Sequence, residues 1–164
     1  MSQNPVENPT LTIIQYNTTS YEELDYSAET SVEPFFLDSE FTFPVHKEDR
    51  VTWLNVIGLK PVDFISSLGK IYGIHLLAIE DVCNLAQRPK VEDFDDHILL
   101  SCKMNYLRNG ELHSEHLSIV LMKDLLFTFQ EYVEDIFDPI RKRLHNRLGQ
   151  TRKNKADYLM YTLL

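Results

Sequence analysis

Residues 96–130 restrict the fold more than any other part of this chain. In DHILLSCKMNY (96–106), Ile98, Leu100, Cys102, Met104 and Tyr106 alternate onto one face. That period of two belongs to a half-buried strand. Asn109-Gly110 comes next. Both residue types accept the positive φ that a tight hairpin turn requires. HLSIVLM and LLFTFQ then flank Lys123-Asp124, a second reversal. The stretch predicts a three-stranded antiparallel meander.

The remaining segments must complete the sheet and cover it. LTIIQYN (11–17) is a β-rich run, and RVTWLNVIG (50–58) reads as a buried strand ended by Gly58. SYEELDYSA (20–28) fits either a short strand or a helical turn. SVEPFFLDSEFTFPVHKED (31–49) mixes aromatics, prolines and acids and reads as irregular. Residues 1–10, with two prolines and two asparagines, read as a disordered tail. Four helices are expected, at 61–72, 75–86, 138–148 and 153–164. The first has Pro61 in its opening turn, an apolar face of Phe64, Ile65, Leu68, Ile71 and Tyr72, and Gly73 as its stop. The third has Asp138 as N-cap, Pro139 at the first helical position, Ile140, Leu144 and Leu148 in one row, and Gly149 as its stop. The fourth carries Ala156, Leu159, Met160 and Leu163 as its stripe. It meets the end of the chain with no cap, which suggests a domain cut from something longer. The order predicts an α/β (α+β) domain over residues 11–164. Its mixed β-sheet, with the antiparallel meander, lies sandwiched between two layers of helices.

Charge narrows the function. The 164 residues carry 16 basic and 25 acidic side chains, a net charge of -9. Nucleic-acid binding needs a basic surface to displace phosphate counterions, so it is not expected. Cys83 and Cys102 match no zinc or redox spacing and read as buried free thiols in a reducing compartment. The opening MSQNPVENPT has neither the basic nor the apolar part of a secretory signal. No apolar run approaches the length of a membrane span. Walker A, GxGxxG, HExxH and GxSxG patterns are absent from the sequence. Nothing in it points to an enzyme.

The candidate site lies in HLLAIEDVCNLAQRPKVEDFDDHILL (75–100). At 100° per residue, Leu76, Ile79, Val82, Cys83 and Ala86 share the core stripe. Asp81 falls nearly opposite that stripe and Glu80 on its flank, with no obvious basic partner nearby. Spacing alone reads them as a solvated helix face, since outward acids are the rule. EDFDD (92–96) could chelate a cation but is better read as solvating the start of a strand. His113 and His116 stand an odd number apart on a strand, so they face opposite ways and do not form a metal site. Arg141, Lys142, Arg143 and Arg147 read as a salt-bridged or solvated helix face.

Four stretches together resemble the cytoplasmic domain of CorA-type magnesium and cobalt transporters. They are VTWLNVIGL (51–59), residues 72–100 with Gly73-Ile74-His75, Ile79-Glu80-Asp81 and Gln87-Arg88-Pro89-Lys90, FTFQEYVEDIFDPIRKRL (127–144) and RKNKADYLMYTLL (152–164). Leu76 departs from the family, which usually has proline there. The resemblance implies a funnel domain at the cytoplasmic face of the cell (inner) membrane, pentameric in the full-length protein. It implies stalk and membrane helices beyond Leu164, and an isolated fragment that is monomeric or weakly associated. It makes Asp81 a regulatory Mg2+ ligand (Co2+ is possible) facing an acid on a neighbouring subunit, with Glu80 beside it. A zinc-transporting member of the family is the alternative. A soluble metal-dependent hydrolase is disfavoured because the residues form no coherent ligand set.

Overall fold

The computed structural model describes residues 9–26, 48–132 and 136–164. Among these, seven strands form one sheet: β1 (Thr10–Tyr16), β2 (Tyr21–Tyr26), β3 (Val51–Ile57), β4 (Lys90–Asp93), β5 (Ile98–Arg108), β6 (Glu111–Leu121) and β7 (Leu125–Gln130). Four α-helices accompany them: α1 (Val62–Tyr72), α2 (Leu76–Cys83), α3 (Asp138–His145) and α4 (Ala156–Leu163). The strand order is β2-β1-β3-β7-β6-β5-β4. Every neighbouring pair is antiparallel except β3–β7, which is parallel. The expected meander is therefore present as β5–β6–β7. Its first turn places Asn109 and Gly110 at φ of 50° and 82°, the left-handed conformations those residue types tolerate.

Strand alternation divides the core into two layers. On one face Leu11, Ile13, Leu54, Val56, Phe127 and Phe129 pack against Phe64, Ile65 and Leu68 of α1 and Ala78, Ile79 and Val82 of α2. On the other face Ile14, Tyr16, Trp53, Ile119 and Leu126 pack against Phe137, Leu144 of α3, and Ala156 and Leu159 of α4. Each fully buried side chain of this size contributes about 1.5–3 kcal/mol. A mixed sheet between two helix layers is thus the observed architecture. Arg152 joins the second layer to the sheet edge. Its buried guanidinium donates to the carbonyls of Asn17, Ser20 and Leu144.

Several boundaries differ from the sequence reading, each for a local reason. Of the 20–28 stretch, Tyr21–Tyr26 form strand β2, because Leu11–Tyr16 offer them a full antiparallel register, and residues 27–28 lie outside the described residues. Thr10 already belongs to β1, inside the stretch read as tail. Residues 1–8 and most of the irregular 31–49 stretch lie outside the described residues. Pro61 stands just before α1, extended, rather than in its first turn. Helix α2 stops at Cys83, three residues early. Asn84 turns extended and its Oδ1 accepts from the backbone of Ala86, a local bond that competes with continued helix. Helix α3 stops at His145, where Arg147 adopts φ of 57°. Leu148 N–H then bonds Arg143 O and Arg147 N–H bonds Leu144 O, a Schellman closure two residues before the expected Gly149. Leu148 is left exposed. Phe137, not Asp138, occupies the N-cap position of α3, and Asp138 instead pairs with Lys142 at 2.6 Å. Residues 151–153 form a separate 3-10 turn before α4. Cys83 and Cys102 are free and half-buried, more open than expected.

One buried acid ties the fold to pH. Glu115 on β6 is 1% exposed, and its Oε1 accepts from Tyr132 N–H at 3.4 Å. Burial lifts its pKa from 4.5 to about 7. Between those values the folded state holds a proton that the unfolded chain has lost. Stability therefore falls as pH rises from about 4.5 to about 7, by on the order of 2–3 kcal/mol. Glu115→Gln should be more stable than the native chain at pH 8 and similar to it at pH 5. Urea unfolding at the two pH values checks this; an equal effect at both would show that Glu115 is not the titrating group.

Candidate functional site

The position of Asp81 follows from how α2 is pinned at its start. Gly73 adopts φ of 73° and closes α1, so Ile74 can turn back into the core. His75 caps α2, its Nδ1 accepting from Leu77 N–H at 3.2 Å. The His75 ring stacks on Phe94 at 5.2 Å, and Phe94 stacks on His97 at 5.0 Å. His75 N–H also reaches His97 Nε2 at 3.4 Å. This three-ring stack fastens the helix start to the β4–β5 turn. Along the helix, Gly69 of α1 leaves room for Ile79, whose Cγ1 and Cδ1 would lie 2.7 Å from any added Cβ. The buried stripe is Ala78, Ile79 and Val82, while Leu76 is 64% exposed. The expected stripe is thus rotated toward Ala78, because an eight-residue helix anchored by His75 leaves Leu76 outside the packing.

Asp81 is not a solvated acid without a partner. Its side chain is 18% exposed, and its Oδ2 accepts from Lys90 Nζ at 2.7 Å. Gln87 Nε2 donates to the other oxygen, Oδ1. Lys90 also reaches Glu92 Oε1 at 3.1 Å. The hydrogen bond to Asp81 raises the lysine pKa, which keeps the ammonium charged. Both findings correct the sequence reading. Lys90 lies nine residues beyond Asp81, too far for helical pairing, and reaches it because the chain folds back into β4.

That reversal also gathers acids that the sequence keeps apart. Asp95 takes φ of 65° and reverses the chain, so residues 90–93 form a further strand, β4, antiparallel to β5. Glu92 and Asp93 then line the same groove as Glu80 and Asp81, with Leu77 and Phe94 as its apolar walls, in a volume of about 350 Å3. Asp95 and Asp96 line a different hollow, with Lys123, Lys155 and Asp157. The sequence reading missed the meeting of Glu92 and Asp93 with the helix acids. The signal for it was the turn chemistry of Phe94-Asp95-Asp96. Four carboxyl side chains in one groove are hard oxygen donors of the kind Mg2+ prefers. Among the described residues, however, no three His, Cys, Asp or Glu side chains come close enough to enclose a metal ion.

The other candidates have structural duties. His116 is buried and bonds Ser118 Oγ at 2.9 Å, and burial lowers its pKa. His113 stacks on Tyr106 at 5.7 Å. Of the basic helix face, Arg147 donates to Thr19 O at 2.7 Å and Arg141 approaches Glu23 at 3.9 Å. Among the described residues no helix is long and apolar enough to cross a membrane.

The architecture is that of the soluble domain of CorA-type ion transporters. It matches the complete structure of the CorA magnesium transporter from Methanocaldococcus jannaschii with a TM-score of 0.56 at 18% identity, over 95% of this chain and 43% of that one. It matches the ZntB cytoplasmic domain from Vibrio parahaemolyticus with a TM-score of 0.55 at 15% identity, over 85% of this chain and 51% of that one. The chain belongs to the CorA-like Mg2+ transporter protein family, whose model covers residues 48–164. The cobalt/magnesium transport protein CorA of Thermotoga maritima is 39% identical over 145 residues, which are 87% of this chain and 41% of that protein. The resemblance drawn from four sequence stretches is borne out, and the family is one of transporters rather than enzymes. The chain spans less than half the length of this curated relative.

The ion pair to Asp81 is partly exposed and screened by water, so it should contribute little to folding. Asp81→Asn should therefore shift the urea midpoint only slightly. A loss above about 3 kcal/mol, of the size seen when one partner of a buried pair is removed, would make Asp81 a structural acid.

Proposed function

We propose that this chain is the regulatory, divalent-cation-sensing domain of a magnesium and cobalt transporter, placed at the cytoplasmic face of the membrane. The observation that carries the reading is Asp81. It faces away from both hydrophobic layers, onto a groove lined by four carboxyl groups. Asp81 is the principal ligand, and Glu80 contributes beside it, directly or through water. The site is half of a whole: a second carboxylate comes from the stalk of a neighbouring subunit in a pentamer. Two facing carboxylates repel each other across the subunit boundary. Bound Mg2+ supplies the positive charge that turns this repulsion into attraction, so high internal magnesium favours the closed ring. The relative named for cobalt and magnesium transport, at 39% identity, favours these ions over zinc.

Two measurements test this reading. In a protein joining this chain to the family's stalk and membrane helices, Asp81→Asn should reduce the protection that millimolar Mg2+ gives against limited proteolysis. Equal protection of native and mutant proteins across a magnesium titration removes Asp81 from sensing. The 164-residue chain by itself should be monomeric or weakly associated by light scattering at micromolar concentration. A stable pentamer under those conditions would place assembly within this domain instead of the stalk and membrane helices.

A further inference from the structure

We propose that Lys90 is a built-in competitor for the cation at Asp81, so that metal binding there is an exchange of an ammonium group for a divalent ion. This inference rests on the sensing role proposed for the groove and assigns a residue that sets its threshold. Lys90 opens β4, where its backbone pairs with Ser101 of β5. Its ammonium therefore leaves from a fixed point on the sheet. Two carboxylates from separate elements converge on it, Asp81 of α2 at 2.7 Å and Glu92 of β4 at 3.1 Å. With Gln87 on Oδ1, both oxygens of Asp81 already accept hydrogen bonds.

Lys90, unlike the neutral amide of Gln87, opposes a metal at Asp81. An ammonium group has three donors and no lone pair, so it cannot coordinate a cation. Its positive charge also opposes one at the same carboxylate. A divalent ion binds Asp81 Oδ2 most favourably once Lys90 has moved away. The move is open to it: the lysine side chain is 27% exposed and can turn into water on its four-carbon stem. The released ammonium would leave Glu92 at the same time, freeing a second carboxylate in the groove. The consequence is a site whose apparent affinity is lowered by its own chain. Saturation then waits for higher cation concentrations, as a threshold sensor needs.

Mn2+ alone, titrated into the 164-residue chain and followed by its electron paramagnetic resonance signal, tests the exchange. Lys90→Gln should bind Mn2+ roughly threefold to tenfold more tightly, the range set by a partly exposed, charge-assisted pair. Lys70→Gln removes the same charge from α1 and controls for net charge; it should change affinity far less. Adding Asp81→Asn to Lys90→Gln should abolish the gain. In the native chain, the side-chain NMR signals of Lys90 should move with Mg2+ at the midpoint of binding. This measurement decides the matter even if Lys90→Gln does not fold. The exchange is overturned if Lys90→Gln binds no more tightly than the native chain, if its gain only equals that of Lys70→Gln, or if the gain survives Asp81→Asn. It is also overturned if the Lys90 signals stay still while Mg2+ binds, or if neither protein binds Mn2+. The two readings separate cleanly. An Asp81-dependent gain with no Asp81 effect on protease protection keeps the exchange and removes the sensing role. Lost protection in Asp81→Asn with a neutral Lys90→Gln does the reverse.

Discussion

The parallel pairing of β3 with β7 holds the molecule together. Without it the sheet would be two antiparallel pieces, β2-β1-β3 and β7-β6-β5-β4. β3 is buried along its whole length, from Val51 to Ile57, and feeds both hydrophobic layers. A polar chain sits inside this contact. Trp53 Nε1 donates to Thr128 Oγ1 at 2.9 Å, and Thr128 Oγ1 donates to Asn55 Oδ1 at 2.7 Å. Buried polar groups cost stability unless paired, so this chain favours one register of β3 on β7 over its slipped alternatives. A parallel neighbour also needs a long crossover. Here the crossover runs from β3 to β7 and contains α1, α2, β4, β5 and β6. The candidate site is therefore built inside the connection that the central pairing demands.

Within that crossover, the groove depends on two attachments of α2. One end is locked by the His75–Phe94–His97 stack, and the body is seated by Ile79 against Gly69. These contacts are ring stacking and apolar packing, and they leave the outward side of the helix available for charge. Asp81 then sits at a boundary, near enough to the sheet to meet Lys90 and open enough to water for that pair to exchange. A carboxylate sealed in the core would have demanded a permanent partner. One fully in water would hold no ion against its hydration. Partial burial is the condition under which a weak, reversible cation site is physically reasonable.

Much of this was legible in the sequence where the signal is local. The meander is written in the alternation of residues 98–106 and in Asn109-Gly110, because strand period and turn chemistry act over a few residues. That Asp81 lies off the core stripe of α2 is also local, since it follows from helical geometry, but its exposure is not, because the fold pairs it with Lys90. Helix ends were less legible. Asn84 and Arg147 stop α2 and α3 through bonds that compete closely with one more helical turn.

By itself, then, the sequence determined the mixed sheet, the two helix layers, the family, and the residue to which a cation role is given. Only the tertiary structure decided what surrounds that residue. Lys90, Glu92 and Asp93 reach α2 because Asp95 reverses the chain and lays β4 beside β5. No periodicity encodes such a contact: it joins residues nine or more apart on different elements, through a backbone turn whose direction the neighbouring strands select. Charge meets charge here as a result of packing, and packing is a property of the whole sheet.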